Sequence, residues 1–129
     1  MEGLTVNQIV ASSLDYERAR VEFAMLRLSM VDVSFSSAAD ARLFANNSQS
    51  NFNSMNTQND TLYKEIEVIQ SHDPANAKAD VDGNVYFVKI DPTKEMATLI
   101  SATRAYEANT RAYNASSQMT RTALDLGSK

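Results

Sequence analysis

The sequence predicts a mainly α protein, with two long terminal helices forming a coiled-coil or bundle element and a small β-hairpin segment and a flexible polar linker between them. Three observations lead there: a 3.5-residue repeat through an uninterrupted C-terminal run, a wide apolar stripe near the N-terminus, and a β-rich VYFVKI segment flanked by turn formers. The expected divisions are an amphipathic helix over 1–35, a polar linker or loop over 36–60, a small β segment over 61–91 and a coiled-coil-type helix over 92–129. The two helices together make one core domain.

The C-terminal run, Asp91 to Gly127, has both ends marked. Asp91 suits an N-cap, and Pro92 falls at the first helical position, where a missing N–H costs nothing. Gly127 follows the last periodic residue and suits a left-handed close. No Gly or Pro intervenes, so the helix can run for ~35 residues, or ~50 Å. Its seam reads Met96, Leu99, Thr103, Tyr106, Thr110, Tyr113, Ser117, Thr120 and Leu124. Much of that seam is Thr, Ser or Tyr, which buries too little apolar area per turn for a strong two-stranded zipper. Alanines around it (Ala97, Ala102, Ala105, Ala108, Ala112, Ala115 and Ala123) let helices approach closely. Such a surface suits packing among many neighbouring copies. Tyr106 and Tyr113 can anchor contacts with neighbours or serve as core residues against the first helix.

Thr5 to Val33 reads as the second amphipathic helix. Val10, Leu14, Val21, Leu28 and Val31 make one seam, with Glu17 and Ala24 in its gaps, and Ile9, Tyr16, Phe23 and Met30 make a neighbouring stripe. Asp15–Arg18, Glu17–Arg20 and Arg18–Glu22 have the spacing of local ion pairs. After Ser34 the composition shifts. Ser36 to Phe44 supports a short helical turn, and ANNSQSNFNSMNTQND after it reads as a mobile loop, where Phe52 and Met55 either anchor onto a neighbour or fold back. Leu62 to Gln70 and Val85 to Ile90 are the two expected strands; a two-stranded sheet is marginal in water and must pack against something else.

Few chemistries survive this composition. Net charge is −4, which argues against a phosphate-backbone binder, and there is no cysteine for disulfides or thiolate metal sites. No run approaches the ~20 apolar residues of a membrane span, and the acidic MEGLTVNQIV start is not a cleavable signal peptide. Asp80, Asp82 and Asn84 have the alternate spacing of a calcium loop, but Val85 stands where that loop needs Gly, so an acidic turn is expected. His72 is the single histidine and has no nucleophile beside it; Glu65 and Glu67 on one strand face read as a solvated edge. Phosphate-loop, dinucleotide, nucleophile-elbow and zinc-protease motifs are missing. The reading is therefore of no enzyme, no cofactor, no metal, no nucleic acid and no small-molecule substrate.

EMATLISATRAYEANTRAYNASSQMTRTALDLG, Glu95 to Gly127, resembles the C-terminal helix of bacterial flagellar basal-body rod proteins, those of the FlgC proximal-rod type in particular. Glu95-Met96, Ile100 to Asn109, Gln118-Met119 and Leu126-Gly127 carry the resemblance in order and spacing. Asp80 to Val85 followed by Asp91-Pro92 resembles the family's passage into that helix, so the resemblance covers roughly Leu62 to Gly127. Before it, MLRLSMVDV stands where rod proteins usually end their first helix in an Asn-containing motif. The resemblance implies a structural rod subunit, stacked helically with copies of itself and other rod proteins, that transmits motor torque. It also implies type III export without a cleaved signal, a basal-body location across the periplasm, and neighbours in the membrane-ring base and export apparatus. The residues expected at assembly contacts are Met96, Leu99, Ile100, Thr103, Tyr106, Asn109, Tyr113, Met119 and Leu124 on the last helix, with Val10, Leu14, Val21 and Leu28 on the first. The competing reading is a non-flagellar helical adaptor or coiled-coil interaction protein.

Overall fold

The computed structural model describes residues 5–55 and 65–128. In chain order it has α1 (Val6–Ser29), α2 (Ala38–Met55), β1 (Val68–His72), β2 (Asn84–Val88) and α3 (Pro92–Gly127). The two long terminal helices and the hairpin between them match the expected class. The second helix does not appear in that expectation.

Thr5 starts α1 with a capping box: its hydroxyl accepts from the Gln8 N–H at 3.3 Å and its own N–H donates to Gln8 Oε1 at 2.8 Å. The helix ends at Ser29, short of the expected Val33, because Asp32 turns the chain with a positive φ of 64°. Two of the expected ion pairs form on it, Glu17–Arg20 at 2.8 Å and Arg18–Glu22 at 3.2 Å. Beyond the turn, Phe35 bridges Tyr86 with paired backbone bonds of 2.8 and 2.9 Å, closing the outer edge of β2.

Residues 38–55 are a helix, where the composition suggested a short turn and then a mobile loop. The physical reason is its small-residue face. Ala41, Ala45 and Gln49 recur every four positions and are all buried, so the polar residues between them occupy the other faces. Ser37 Oγ accepts from the Asp40 N–H at 3.1 Å, which satisfies an orphan donor of the first turn. Phe44 packs on Phe35, and Phe52 on Phe23 of its own chain with ring centroids 5.2 Å apart. Phe52 thus folds back; Met55's side chain and the rest of the expected linker lie outside the described residues.

The hairpin is antiparallel, with Val68 opposite Val88 and His72 opposite Asn84. The first strand starts later than expected, and Leu62 to Lys64 of that expected strand lie outside the described residues. Glu65 and Glu67 stand ahead of β1 rather than within it, although Glu67 still pairs with Lys89 through a backbone bond of 2.7 Å and an ion pair of 3.0 Å. The connecting turn is built on Asp80. Its Oδ1 accepts from the Asp82 and Asn84 N–H groups, both at 2.9 Å, so the calcium-like spacing holds an acidic turn, as expected. His72 Nδ1 lies 3.2 Å from Asn84 Oδ1 across the same turn. Met30, Ala41, Ala45 and Val88 form the core between α2 and the hairpin, with Leu26, Phe35, Ile66, Val68, Tyr86 and Ile90 packed around them. The sheet gains from α2 and the end of α1 the cover it cannot supply itself.

Asp91 caps α3 through the Lys94 N–H at 3.2 Å, and Pro92 opens it as expected. The far end differs. Gly127 is the last helical residue, and Ser128 closes the helix with ordinary right-handed angles, so no left-handed glycine is needed. α3 returns antiparallel along α1: Arg27 meets Glu95 at one end of the pair and Asn7 meets Ser116 at the other.

Candidate assembly surface

Those two contacts bracket the stripe by which each helix faces the other. On α1, the expected seam residues Val10, Leu14, Val21 and Leu28 are half-buried and Ala24 is fully buried. On α3 the buried line is Glu95 and Ala102, continued by half-buried Asn109 and Ser116. It lies one position before the expected Met96–Thr103–Thr110–Ser117 row. The neighbouring expected row, Leu99, Tyr106 and Tyr113, is half-buried at its first member and just over one-third exposed at its two tyrosines.

The helix therefore presents outward much of what hydrophobicity alone would have turned inward. Met96 is 54% exposed and Ile100 52%, and Thr103 is exposed beside them. The threonines on this helix need no partner for their hydroxyls. Thr98, Thr103, Thr110, Thr120 and Thr122 each donate to the carbonyl four residues earlier, at 2.8 to 3.1 Å. What they offer a neighbour is a methyl group with its polar atom already satisfied.

From the Asn7–Ser116 contact onward α3 outruns its partner. Residues 118–127 pass beyond Thr5, the N-cap of α1, by ~15 Å of helix. Met119 at 72% exposed, Leu124 at 69% and Leu126 lie on this overhang. Between its start and the first turn of α1 runs an open apolar groove lined by Val6, Ala112, Ala115, Met119 and Ala123. The residues singled out in the sequence thus divide into two groups. Val10, Leu14, Val21, Leu28, Leu99 and Asn109 lie along the intramolecular pair, while Met96, Ile100, Thr103, Met119 and Leu124 stand outward. Tyr106 and Tyr113 sit at the boundary, rings partly covered.

Sequence reasoning missed the buried Arg27–Glu95 ion pair, 2.8 Å between Nε and Oε1. Glu95 was visible only as part of a motif, and Arg27 stands outside the apolar seam. Among the described residues no cluster of histidine or acidic side chains has a metal-binding arrangement, and no helix is long and apolar enough to cross a membrane.

The family "Flagellar basal body rod FlgEFG protein C-terminal" matches residues 81–126, from the Asp80 turn to the end of α3. The flagellar basal-body rod protein FlgC of Bacillus subtilis (strain 168) is 45% identical over 56 residues, 43% of this chain and 37% of its own length. That of Aquifex aeolicus (strain VF5) is 46% identical over 43 residues, 33% of this chain and 32% of its own. The matches thus span about a third of the length of these relatives. No solved structure matches. Residues 81–126 of this chain are thus similar to the C-terminal segment of flagellar basal-body rod proteins.

Proposed function

We propose that the chain is a structural subunit of the bacterial flagellar basal-body rod, which assembles with copies of itself and with other rod proteins into a helical tube that carries motor torque. The observation that carries this reading is the rod-family match over 81–126, which falls on a helix whose apolar overhang and outward stripe exceed what α1 can cover. Torque transmission needs no reactive group. It needs many modest contacts between long helices that resist shear together, in a head-to-tail arrangement that stays open for addition. Met96, Ile100, Thr103, Met119 and Leu124 are the side chains we assign to those contacts, with Tyr106 and Tyr113 anchoring their margin. Export by the flagellar type III route, a position across the periplasm, and contact with the membrane-ring base and export apparatus complete the reading.

The test is an immunoblot of detergent-washed hook–basal bodies from the source bacterium, beside a strain deleted for the gene. The reading expects the protein in the basal bodies and no filaments in the deletion strain. Absence from basal bodies together with normal motility on deletion would overturn it and leave a helical adaptor as the better account.

A further inference from the structure

We infer that the buried Arg27–Glu95 pair sets the rotation of α3 about its own axis, holding the apolar Met96 side outward against the pull of burial. The rows compete directly. Facing α1 is Glu95, Ala102, Asn109 and Ser116; one position on is Met96, Thr103, Thr110 and Ser117, whose first two members are exposed and whose last two are half-buried. At the base of the helix the outward row is the less polar, Met96 standing against Glu95, and Thr110 with its hydroxyl satisfied stands against Asn109; Ala102 outweighs Thr103 the other way, and the two serines are equal. Burial alone favours turning α3 by part of the ~100° step between successive residues, which would cover Met96 and release Glu95 to water.

The helix does not turn, because Glu95 is only 3% exposed and its Oε1 is 2.8 Å from Arg27 Nε. Arg27 is itself buried, with its guanidinium 5.9 Å from the centre of the Phe23 ring. Turning α3 outward at this end would strip Arg27 of its carboxylate and leave a buried charge uncompensated, a larger loss than one methionine side chain regains. The Ser116–Asn7 bond, 2.7 Å, holds the other end of the same row inward, but it is neutral and lies at a half-exposed end. The charged pair therefore governs the base of the helix. Its consequence for assembly rests on the proposed function: it keeps the outward stripe from being consumed inside its own subunit.

The chain has no cysteine, so single reporters label cleanly. Met96→Cys and Thr98→Cys, on opposite flanks of the Glu95 row, are placed separately in the purified full chain and in a chain also carrying Arg27→Met and Glu95→Leu. Iodoacetamide labelling rates are then compared, with helicity followed by circular dichroism. Replacing both charges by apolar groups of similar size preserves folding. In the parent background the Met96→Cys thiol labels faster than the Thr98→Cys thiol. In the apolar background the order reverses, the thiol at position 96 slowing and that at position 98 quickening by about tenfold each. An unchanged order with full helicity would overturn the inference and assign the rotation to close packing at Ala102. Loss of helicity with both sites fast would also overturn it, since the pair would then hold the fold rather than choose a rotation. Neither result depends on flagella, so failure here is separate from absence of the protein in basal bodies.

Discussion

At the scale of single residues, two side chains and one glycine carry more than their number suggests. Arg27 and Glu95 are buried charges that meet at 2.8 Å. Glu95→Leu alone takes the carboxylate away from the buried Arg27 guanidinium and should cost about 3–5 kcal/mol in urea unfolding, whereas the paired change Arg27→Met with Glu95→Leu should cost little or nothing. Equal losses in the two variants would show that packing, not charge, matters at this site. Gly83 has a φ of +79°, and a Cβ there would lie 2.9 Å from Pro74 Cγ and 3.0 Å from His72 Cε1. Gly83→Ala should thus destabilise the hairpin by more than ~1 kcal/mol, seen as a lowered midpoint with an unchanged slope. Neither feature was legible beforehand. Glycine and acid at the turn were visible as turn formers, but the Arg27–Glu95 pair joins residues 68 apart, and no local pattern announces it.

At the scale of elements, what could be read depended on whether a segment's stabilisation was local. α3 was legible almost to the residue because Asp91, Pro92 and a long periodic run are local signals. α1 was legible in its seam, and its end was not, because Asp32 breaks it through a backbone angle rather than a composition change. α2 was hidden. Its Asn- and Ser-rich sequence has weak helix propensity, and the face that stabilises it is made of alanines that bury against the hairpin and the end of α1. That origin makes a prediction: Ala45→Leu should overpack the α2–hairpin core and cost about 1–3 kcal/mol in thermal unfolding, even though leucine is itself a good helix former. A stabilised variant would mean that α2 is held by propensity after all. Asp91→Ala should cost about 1 kcal/mol through loss of the Lys94 N–H acceptor, measured the same way. The candidate surface was half legible at this scale. Met96, Ile100 and Thr103, chosen as apolar or periodic positions for contacts with neighbours, do stand outward, but the row that faces α1 was not legible because it opens on a buried charge, Glu95, rather than on an apolar residue.

At the scale of the whole molecule, a small α2–hairpin core fixes the base of an antiparallel helix pair, and one helix of that pair runs on past the other. A compact monomer would have little use for ~15 Å of helix bearing exposed Met119, Leu124 and Leu126. A subunit that stacks has a direct use for it. The central claim is that this overhang and the outward stripe of α3 are assembly contacts of a flagellar rod, and Leu124 tests it most cleanly because it is exposed and stands apart from the subunit's own core. The decisive measurement is the amount of a Leu124→Asp variant recovered in purified hook–basal bodies, with its helicity checked in solution. The account predicts a normally helical protein that is depleted from basal bodies and a strain with impaired motility. Normal recovery of Leu124→Asp, with normal motility, would contradict it.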